Sequence, residues 1–151
     1  MRAIASNRQV ALTSDMQKKR PSTKPAIKVM MQPQEANIHK TIFGGTILSQ
    51  IDLAGAVHCR SHGCRQCVTI AMKEVEFKLP IYVGDVVSFH GSTVNVGRTS
   101  ITVKVDVWAH RHKTPGECVW VTEATVTYVN VDEDLKPVPV PLADPIDPDA
   151  N

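Results

Sequence analysis

Residues 44–60 read GGTILSQIDLAGAVHCR, and this stretch decides the fold because it holds the one convincing helix of the chain. Two glycines open it, and apolar side chains then recur at helical spacing, which predicts a helix from about Gly45 to Arg60. Apolar residues cover nearly its whole circumference, and a helix of that kind is expected to be buried on all sides. They are Ile47, Leu48, Ile51, Leu53, Ala54, Ala56 and Val57.

Strand patterns flank this helix. Apolar side chains occupy every second position from Ile101 to Ala109, which is the period of a strand with two different faces. Turn residues predict antiparallel connections at 80–84, 95–97 and 115–116. The predicted strands span about 26–31, 68–79, 85–96, 100–111 and 118–131. This order predicts an α+β fold in which an antiparallel β-sheet wraps around one long central helix.

The chain divides into one domain and two flanking segments. Its 151 residues have the length of one domain. Residues 1–26 are polar, contain two prolines and show no periodic apolar face, so we expect a flexible N-terminal arm. Residues 136–151 hold five prolines, which exclude a helix or a central strand and predict a tail that is extended over the surface or disordered. The folded domain is then residues 27–135.

Composition excludes several classes of function. The net charge of +2 is small and the basic residues are mostly scattered, so no nucleic-acid surface is expected. No apolar run reaches the roughly 20 residues that span a bilayer, so no membrane association is expected. The N-terminus lacks the apolar core of a secretory signal, which makes the cytoplasm the expected location.

Cysteines and histidines cluster after the helix, in the sequence HCRSHGCRQC at 58–67. Cys64 and Cys67 have the spacing of a zinc-binding pair, and two histidines lie nearby. A structural zinc site usually brings a second ligand pair from elsewhere in the chain, and Cys118 is the only distant thiol. We therefore expect no metal.

Asp52 is the most informative residue of the helix. A carboxylate in a helix that is apolar all round costs several kcal/mol unless it is paired or functional. Small residues share its face and leave room for a ligand. From the residues alone two interpretations stay open: Asp52 is a reactive group, or it is a hydrogen-bonded core residue or an interface ion-pair partner. The small neighbours on its face are Gly45, Ser49, Gly55 and Ala56.

Four further motifs occur in a fixed order: NIHKTIFGGTILSQIDLAGA at 37–56, Phe77 with PIYVGDVV at 80–87, VGRTSI at 96–101 and VDVW at 105–108. This ordered set resembles the hotdog-fold acyl-CoA thioesterases, in particular the YciA-like enzymes and related cytosolic acyl-CoA hydrolases. The resemblance spans about residues 27–131 and keeps the family's helix aspartate as Asp52. Many relatives carry Gly followed by Asp or Asn where this chain has Lys40 and Thr41, so no catalytic role is transferred to that position.

The resemblance implies a hotdog fold and the hydrolysis of acyl-CoA to a free carboxylic acid and CoA. Asp52 would then be the general base or the nucleophile. Backbone N–H groups at Gly44, Gly45 and Thr46, at the positive end of the helix dipole, would polarise the thioester carbonyl. No cofactor is expected, because coenzyme A is part of the substrate and water is the other reactant.

The turn at 97–100 offers a guanidinium, two hydroxyls and free backbone N–H groups to the phosphates of CoA. The resemblance implies that this stretch lies near the nucleotide, whereas an ordinary hairpin with a solvated Arg98 is the alternative. Thr69 and Phe77 would lie beside the active site, although both could be plain sheet residues. The turn residues are Gly97, Arg98, Thr99 and Ser100.

The resemblance also implies a homodimer with sites at the subunit interface, commonly assembled into a trimer of dimers. Two rival functions stay open. One is a non-catalytic acyl-CoA-binding or regulatory protein, to which the change at Lys40 and Thr41 gives some weight. The other is a dehydratase of acyl-carrier-protein thioesters, which would pair His39 or His58 with a carboxylate, although the local motifs fit poorly.

Overall fold

The computed structural model describes residues 18–141. Within them the chain forms one α-helix, five strands and a short 3-10 turn at Pro33–Glu35. No helix in this range combines the length and the apolar character that a bilayer span requires. The elements are β1 Ile27–Met30, α1 Gly44–Ser61, β2 Cys67–Lys73, β3 Val86–Val96, β4 Ser100–His110 and β5 Cys118–Asn130.

The five strands form one antiparallel sheet in the order β1-β3-β4-β5-β2. Three strands carry a register shift, at Ile70 in β2, Val94 in β3 and Val121 in β5. Such bulges bend a strand and increase its twist. The sheet therefore curls around α1, which packs against β3, β4 and β5. This is the predicted arrangement of a wrapped sheet and one long helix.

The core lies between α1 and the inner face of the sheet. The alternation predicted for β4 is confirmed, because Val103, Val105 and Val107 are fully buried. They pack in one cluster with Ile51 and Ala54 of α1, which are also fully buried. Burial of one such valine or isoleucine side chain stabilises the fold by about 1.5–3 kcal/mol.

The second strand is shorter than predicted. β2 ends at Lys73, whereas the sequence pattern predicts a strand over 68–79. Glu74 has a φ of 60°, a left-handed conformation that interrupts an extended strand. The chain continues beside β5, where the N–H of Lys78 donates to the carbonyl of Val121 at 2.8 Å. The predicted turns are confirmed at 80–84 and 115–116. The turn predicted at 95–97 lies slightly later, at 97–99, because β3 continues to Val96.

In a single chain α1 is buried on one side only, so the prediction of a helix buried on all sides is wrong. Ile47 and Ile51 face the sheet and are at most 1% exposed. On the other side Leu53 is 53% exposed and Val57 is 39% exposed. The physical reason is that one curled sheet covers one side of a helix. An apolar face is therefore left open.

The described part of the N-terminal arm covers the outer face of the sheet. Lys18 forms ion pairs with Asp106 and Glu123, and its ammonium lies 4.1 Å from the centroid of the Trp120 ring. These contacts explain why Asp106, on the outer face of β4, is only 9% exposed. The flexible arm stays a prediction for residues 1–17, which lie outside the described residues.

The beginning of the C-terminal tail runs over the surface. The side-chain amide of Asn130 donates to the carbonyl of Pro139 at 2.9 Å. The N–H of Val140 donates to the carbonyl of Arg98 at 2.8 Å, and its side chain is buried. These contacts agree with an extended surface tail up to Pro141, and residues 142–151 lie outside the described range.

A buried ion pair joins the turn before β3 to the end of β4. The carboxylate of Asp85 accepts hydrogen bonds from the Arg111 guanidinium at 2.7 Å, from the N–H of His112 at 2.9 Å and from the N–H of Tyr82 at 3.0 Å. The same guanidinium donates to the carbonyl of Pro80 at 2.8 Å. Because Asp85 is only 2% exposed, these bonds fix the turn at 80–84 in place.

Replacing Arg111 by alanine should lower the free energy of unfolding by about 3–5 kcal/mol, because it leaves the Asp85 carboxylate buried without an opposite charge. Denaturant unfolding at one fixed protein concentration measures the change. Lys104→Ala is the control, since it removes a half-exposed ion pair with Glu123 and should cost less than about 1 kcal/mol. Equal losses in the two variants would contradict the role of the Asp85 pair.

Candidate active site

Asp52 lies in the middle of α1 and faces the edge strand β2. It is half-buried, and the hydroxyl of Thr69 donates a hydrogen bond to its Oδ1 at 2.6 Å. Within residues 18–141 its second oxygen, Oδ2, accepts no hydrogen bond from the protein. The structure therefore brings these two predicted site residues together. It leaves one carboxylate oxygen available to a ligand or to water.

Tyr128 holds the turn of α1 that carries Asp52. Its hydroxyl donates to the backbone carbonyl of Asp52 at 2.6 Å. Burial, together with the negative charge of Asp52, raises the pKa of Tyr128 above its usual range, so the hydroxyl stays protonated and donates. Its ring lies directly against Gly55, where an added Cβ would come within 2.1 Å of the hydroxyl oxygen.

Tyr128 is not among the site residues predicted from the sequence. The signal that was present is Gly55, because a glycine in the middle of a helix often marks a close approach by another group. That signal indicates that something packs on the helix there. It does not say which of the distant side chains does so.

The N-terminus of α1 is uncapped and presents free backbone donors. Phe43 is the N-cap residue and makes no side-chain cap hydrogen bond. Among the described residues, the N–H groups of Gly44 and Gly45 have no backbone acceptor. The N–H of Thr46 donates to the carbonyl of Phe43 at 3.0 Å, so the prediction of a free donor at Thr46 is wrong. A helix N-terminus uses this short bond to satisfy one of its four unpaired donors.

Phe77 lies beside this helix terminus. A Cβ on Gly44 would be 3.6 Å from the Phe77 ring, which places the aromatic ring in ordinary contact with the first residue of α1. A cavity of about 340 Å³ opens between them. Its lining is mostly apolar and consists of Thr41, Ile42, Gly44, Ile47, Phe77, Lys78, Leu79, Pro80 and Ile81.

The two halves of the predicted catalytic set are far apart within one chain. Asp52 follows Gly45 by seven residues on the same helix. At 1.5 Å of rise per residue the two positions are separated by about 10 Å along the axis. A reacting carbonyl has to lie about 3 Å from both its donors and its attacking group. One chain therefore does not bring Asp52 to the free N–H groups of its own helix terminus.

The predicted CoA-binding turn joins β3 to β4. Its Arg98 side chain is exposed, in keeping with either interpretation of the turn. The N–H of Gly97 donates to the carbonyl of Ser100 at 2.8 Å, so it is not one of the free N–H groups predicted for this turn. The carbonyls of Arg98 and Thr99 also accept bonds, from Val140 and Asn130. Within residues 18–141 no hydrogen bond connects this turn to Asp52 or to the helix terminus.

His39 and His58, the histidines that a dehydratase would use, do not form a hydrogen bond with Asp52 in the described residues. The Nε2 atom of His58 lies 2.9 Å from the hydroxyl of Thr93, and His62 approaches the same hydroxyl at 2.7 Å. His39 is exposed, and its backbone N–H binds the side chain of Asn37. No histidine–carboxylate pair forms at Asp52 within the described residues.

Comparison with known proteins identifies the family of this chain. The family model described as the thioesterase superfamily matches residues 39–116. The acyl-CoA thioester hydrolase YciA of Salmonella typhimurium is 33% identical over 124 residues, which are 81% of this chain and 93% of that protein. The chain belongs to the thioesterase superfamily.

Two further relatives of this thioesterase-superfamily chain are named as thioester hydrolases or thioesterases. An uncharacterized acyl-CoA thioester hydrolase of Haemophilus influenzae is 37% identical over 117 residues, which are 76% of each protein. Among solved structures, Cj0915, a hexameric hotdog fold thioesterase of Campylobacter jejuni, is 45% identical with a TM-score of 0.76. The match covers 80% of this chain and 92% of that one. The predicted hotdog fold is confirmed.

Lys40, which stands where many relatives in this superfamily have glycine, adopts an unusual backbone conformation. Lys40 has a φ of 62°, in the left-handed region that favours glycine, and its N–H donates to the carbonyl of Asn37 at 3.0 Å. The glycine noted in relatives fits such a turn, whereas lysine adopts it at a cost of about 1–2 kcal/mol. The hydroxyl of Thr41 lies 3.0 Å from the side-chain nitrogen of Asn37, so Thr41 serves the turn.

Gly55→Ala should lower the free energy of unfolding of this thioesterase-superfamily protein by about 1–3 kcal/mol, because the new methyl group overlaps the Tyr128 ring. An ordinary Gly→Ala change inside a helix would raise it by up to about 1 kcal/mol. Denaturant unfolding at fixed protein concentration gives the sign. Ser49→Ala, on the exposed side of α1, serves as a control and should change it by less than about 0.5 kcal/mol. A stabilised Gly55→Ala protein would contradict the packing of Tyr128 on α1.

Proposed function

We propose that this chain is an acyl-CoA thioesterase that hydrolyses acyl-CoA to a free carboxylic acid and CoA. The observation that carries the proposal is Asp52, a half-buried helix carboxylate whose Oδ1 is held by Thr69 and whose Oδ2 is free within the described residues. The names of the relatives, acyl-CoA thioester hydrolases, support the choice of substrate. No cofactor is needed, since water and the thioester are the only reactants.

The chemistry requires one carboxylate and two donors. As a general base, Oδ2 of Asp52 removes a proton from water, and the oxygen of that water attacks the thioester carbon. The oxyanion that forms accepts hydrogen bonds from the N–H groups of Gly44 and Gly45. The C–S bond then breaks and CoA leaves as the thiolate, which takes up a proton. One such donor contributes about 3–4 kcal/mol in comparable sites.

Asp52 could also act as the nucleophile. Its Oδ2 would then attack the thioester carbon directly, displace CoA and form a mixed anhydride, which water hydrolyses in a second step. Rapid quenching followed by mass spectrometry distinguishes the two routes. Only the nucleophilic route adds the mass of the acyl group to the peptide that contains Asp52.

A complete site requires a second copy of the chain. The gap of about 10 Å along α1 keeps Asp52 from the free N–H groups of its own chain. The open apolar side of the helix, with Leu53 and Val57, is a surface that a second subunit would bury. β2 lies at the edge of the sheet and exposes Ile70, so a second β2 can pair with it across a two-fold axis.

We therefore propose that Asp52 of one subunit faces the Gly44–Gly45 terminus of the other. Such dimers would associate further into a trimer of dimers, in keeping with the hexameric state named for Cj0915. The cavity at Phe77 would take an apolar part of the substrate next to the thioester. Arg98, Thr99 and the hydroxyl of Ser100 would bind the phosphates of CoA.

Other expectations about the protein remain predictions: a cytoplasmic location, no bound metal, and no association with nucleic acid or membrane. The alternative function, a non-catalytic acyl-CoA-binding or regulatory protein, also remains a prediction and can be distinguished by experiment. Such a protein would bind CoA without releasing it from any thioester.

Asp52→Asn should reduce turnover by at least about 100-fold, because the amide cannot take a proton or attack a carbonyl. It keeps an oxygen that accepts the Thr69 hydrogen bond, so the protein should stay folded and keep its oligomeric state. The assay is chromatographic detection of CoA released from short, long and aromatic acyl-CoAs. Chromatography avoids thiol reagents, which would also react with the four cysteines.

Glu117→Gln is the matched control, since it removes an exposed carboxylate on the β4–β5 turn and should leave turnover unchanged. Near-normal turnover by folded Asp52→Asn would exclude Asp52 as the reacting group. If the wild-type protein binds CoA but releases it from no substrate, the protein is a binding or regulatory subunit.

A further inference from the structure

Three cysteines gather where α1 ends and β2 begins. Cys59 lies in the last turns of α1, Cys67 is the first residue of β2, and Cys64 lies in the connection between them. A tight turn closes this connection, because the N–H of Cys64 approaches the carbonyl of Cys59 at 3.4 Å. Cys67 lies close enough to Cys59 and Cys64 for its pKa to depend on both of their thiols. The fold thus collects three sulfur atoms that the proposed hydrolysis does not use.

A cavity of about 360 Å³ opens onto this cluster. Two arginines, Arg60 and Arg65, line it together with Cys64 and Cys67. Cys59 is fully buried and Cys64 is 2% exposed, whereas Cys67 is only half-buried. Of the three cysteines, Cys67 is therefore the most exposed to a small polar reagent that enters the cavity.

The three thiols differ in their ionisation. Hydrogen bonds from Cys59 and then Cys64, with the positive charge of Arg60, lower the pKa of Cys67 to about 7, although burial opposes this. Burial raises the pKa of Cys64 to about 12, and the hydrogen bond with Cys67 raises the pKa of Cys59. At neutral pH Cys67 is therefore about half in the thiolate form, next to two protonated thiols. Thiolates are the reactive form towards oxidants and disulfides.

We propose that Cys59, Cys64 and Cys67 form a thiol oxidation site for hydroperoxides, in which Cys67 is the attacking group and Cys59 the resolving thiol. The Cys67 thiolate attacks one peroxide oxygen and becomes a sulfenic acid. The O–O bond breaks, and the departing alkoxide takes a proton to leave as an alcohol, or as water when the oxidant is hydrogen peroxide. The Cys59 thiol then attacks the sulfenic sulfur, so that the S–S bond forms and water leaves. Two thiols are oxidised and one hydroperoxide is reduced.

The resulting disulfide would link α1 to β2. These are the two elements that the Asp52–Thr69 hydrogen bond also joins, so the cross-link lies on the same side of the molecule as the candidate active site. Low-molecular-weight thiols would reverse the oxidation by two exchange steps, which makes it a reversible modification. The inference concerns the cysteines alone and does not depend on the proposed hydrolysis.

The test treats the full chain with hydrogen peroxide at pH 7, blocks remaining thiols with N-ethylmaleimide and maps the peptides by mass spectrometry. We expect the loss of two of the four thiols, a peptide pair joined through Cys59 and Cys67, and recovery of both thiols with dithiothreitol. Oxidation of Cys118 at the same rate as Cys67, a disulfide between other cysteines, or no reaction of Cys67 would overturn the proposal.

Matched variants separate the two roles. Cys67→Ser should slow peroxide-dependent thiol loss at least about tenfold, whereas Cys118→Ser should leave the rate for the cluster unchanged. Cys59→Ser should lack the disulfide and accumulate a sulfenic acid at Cys67, which dimedone captures as a stable adduct. Fast thiol loss in Cys67→Ser, or no dimedone adduct in Cys59→Ser, would contradict the assigned roles.

A pH profile tests whether the surroundings of Cys67 activate it. The rate of alkylation of Cys67 by iodoacetamide should rise with a midpoint near pH 7, because only the thiolate reacts. Arg60→Met removes a positive charge that stabilises the thiolate, so its midpoint should move to higher pH. A wild-type midpoint as high as that of the chain in denaturant would show that the cluster does not activate Cys67. An unchanged profile in Arg60→Met would contradict the contribution of the Arg60 charge.

Discussion

The hydrogen bond from the Tyr128 hydroxyl to the backbone carbonyl of Asp52 is the contact on which the candidate site depends. It fixes the distance between α1 and β5, and Gly55 makes it possible because no side chain separates the helix from the ring. The same contact orients the turn of α1 that carries Asp52. With that turn fixed, the carboxylate reaches Thr69 on β2 and keeps one oxygen free within the described residues.

A second constraint follows from helix geometry. A straight helix keeps residues seven positions apart at about 10 Å, so Asp52 and the free donors at Gly44 and Gly45 cannot act on one carbonyl within a single chain. The apolar side of α1 and the unpaired edge of β2 lie open in that same chain. One assumption, a two-fold related second subunit, accounts for both observations. The site and the assembly are then two consequences of the same geometry.

Local patterns predicted most of the fold. The alternation along 101–109 identified β4, and the helical spacing of the apolar residues identified α1 to within one residue at each end. The prediction failed for the end of β2, where the left-handed conformation of Glu74 leaves no signature in the pattern of apolar residues. It also failed for the burial of α1, since the pattern does not distinguish a face covered by the sheet from one left open.

The candidate site was less predictable than the fold. The family resemblance named Asp52 and Thr69, but the hydrogen bond between them joins a helix to a strand and depends on their packing. Tyr128 was not predicted as a site residue, because it lies 76 residues from Asp52 in the sequence. The alternation of its strand also explains it as an ordinary core residue. Likewise, the bonded N–H groups at Thr46 and Gly97 depend on turn geometry that residue types alone do not determine.

Subunit complementation tests the two-chain site most directly. Gly44→Pro removes one oxyanion donor, because proline has no backbone N–H. The first position of α1 tolerates proline, since Phe43 before it is extended. Gly44→Ala keeps the donor and is the control. Gly44→Pro and Asp52→Asn chains, each inactive alone, are unfolded together and refolded as a mixture. If Asp52 and Gly44 come from different subunits, half of the dimers are mixed and each has one intact site, so about a quarter of the wild-type CoA release returns. Activity that stays at the level of the separate variants would contradict the shared site.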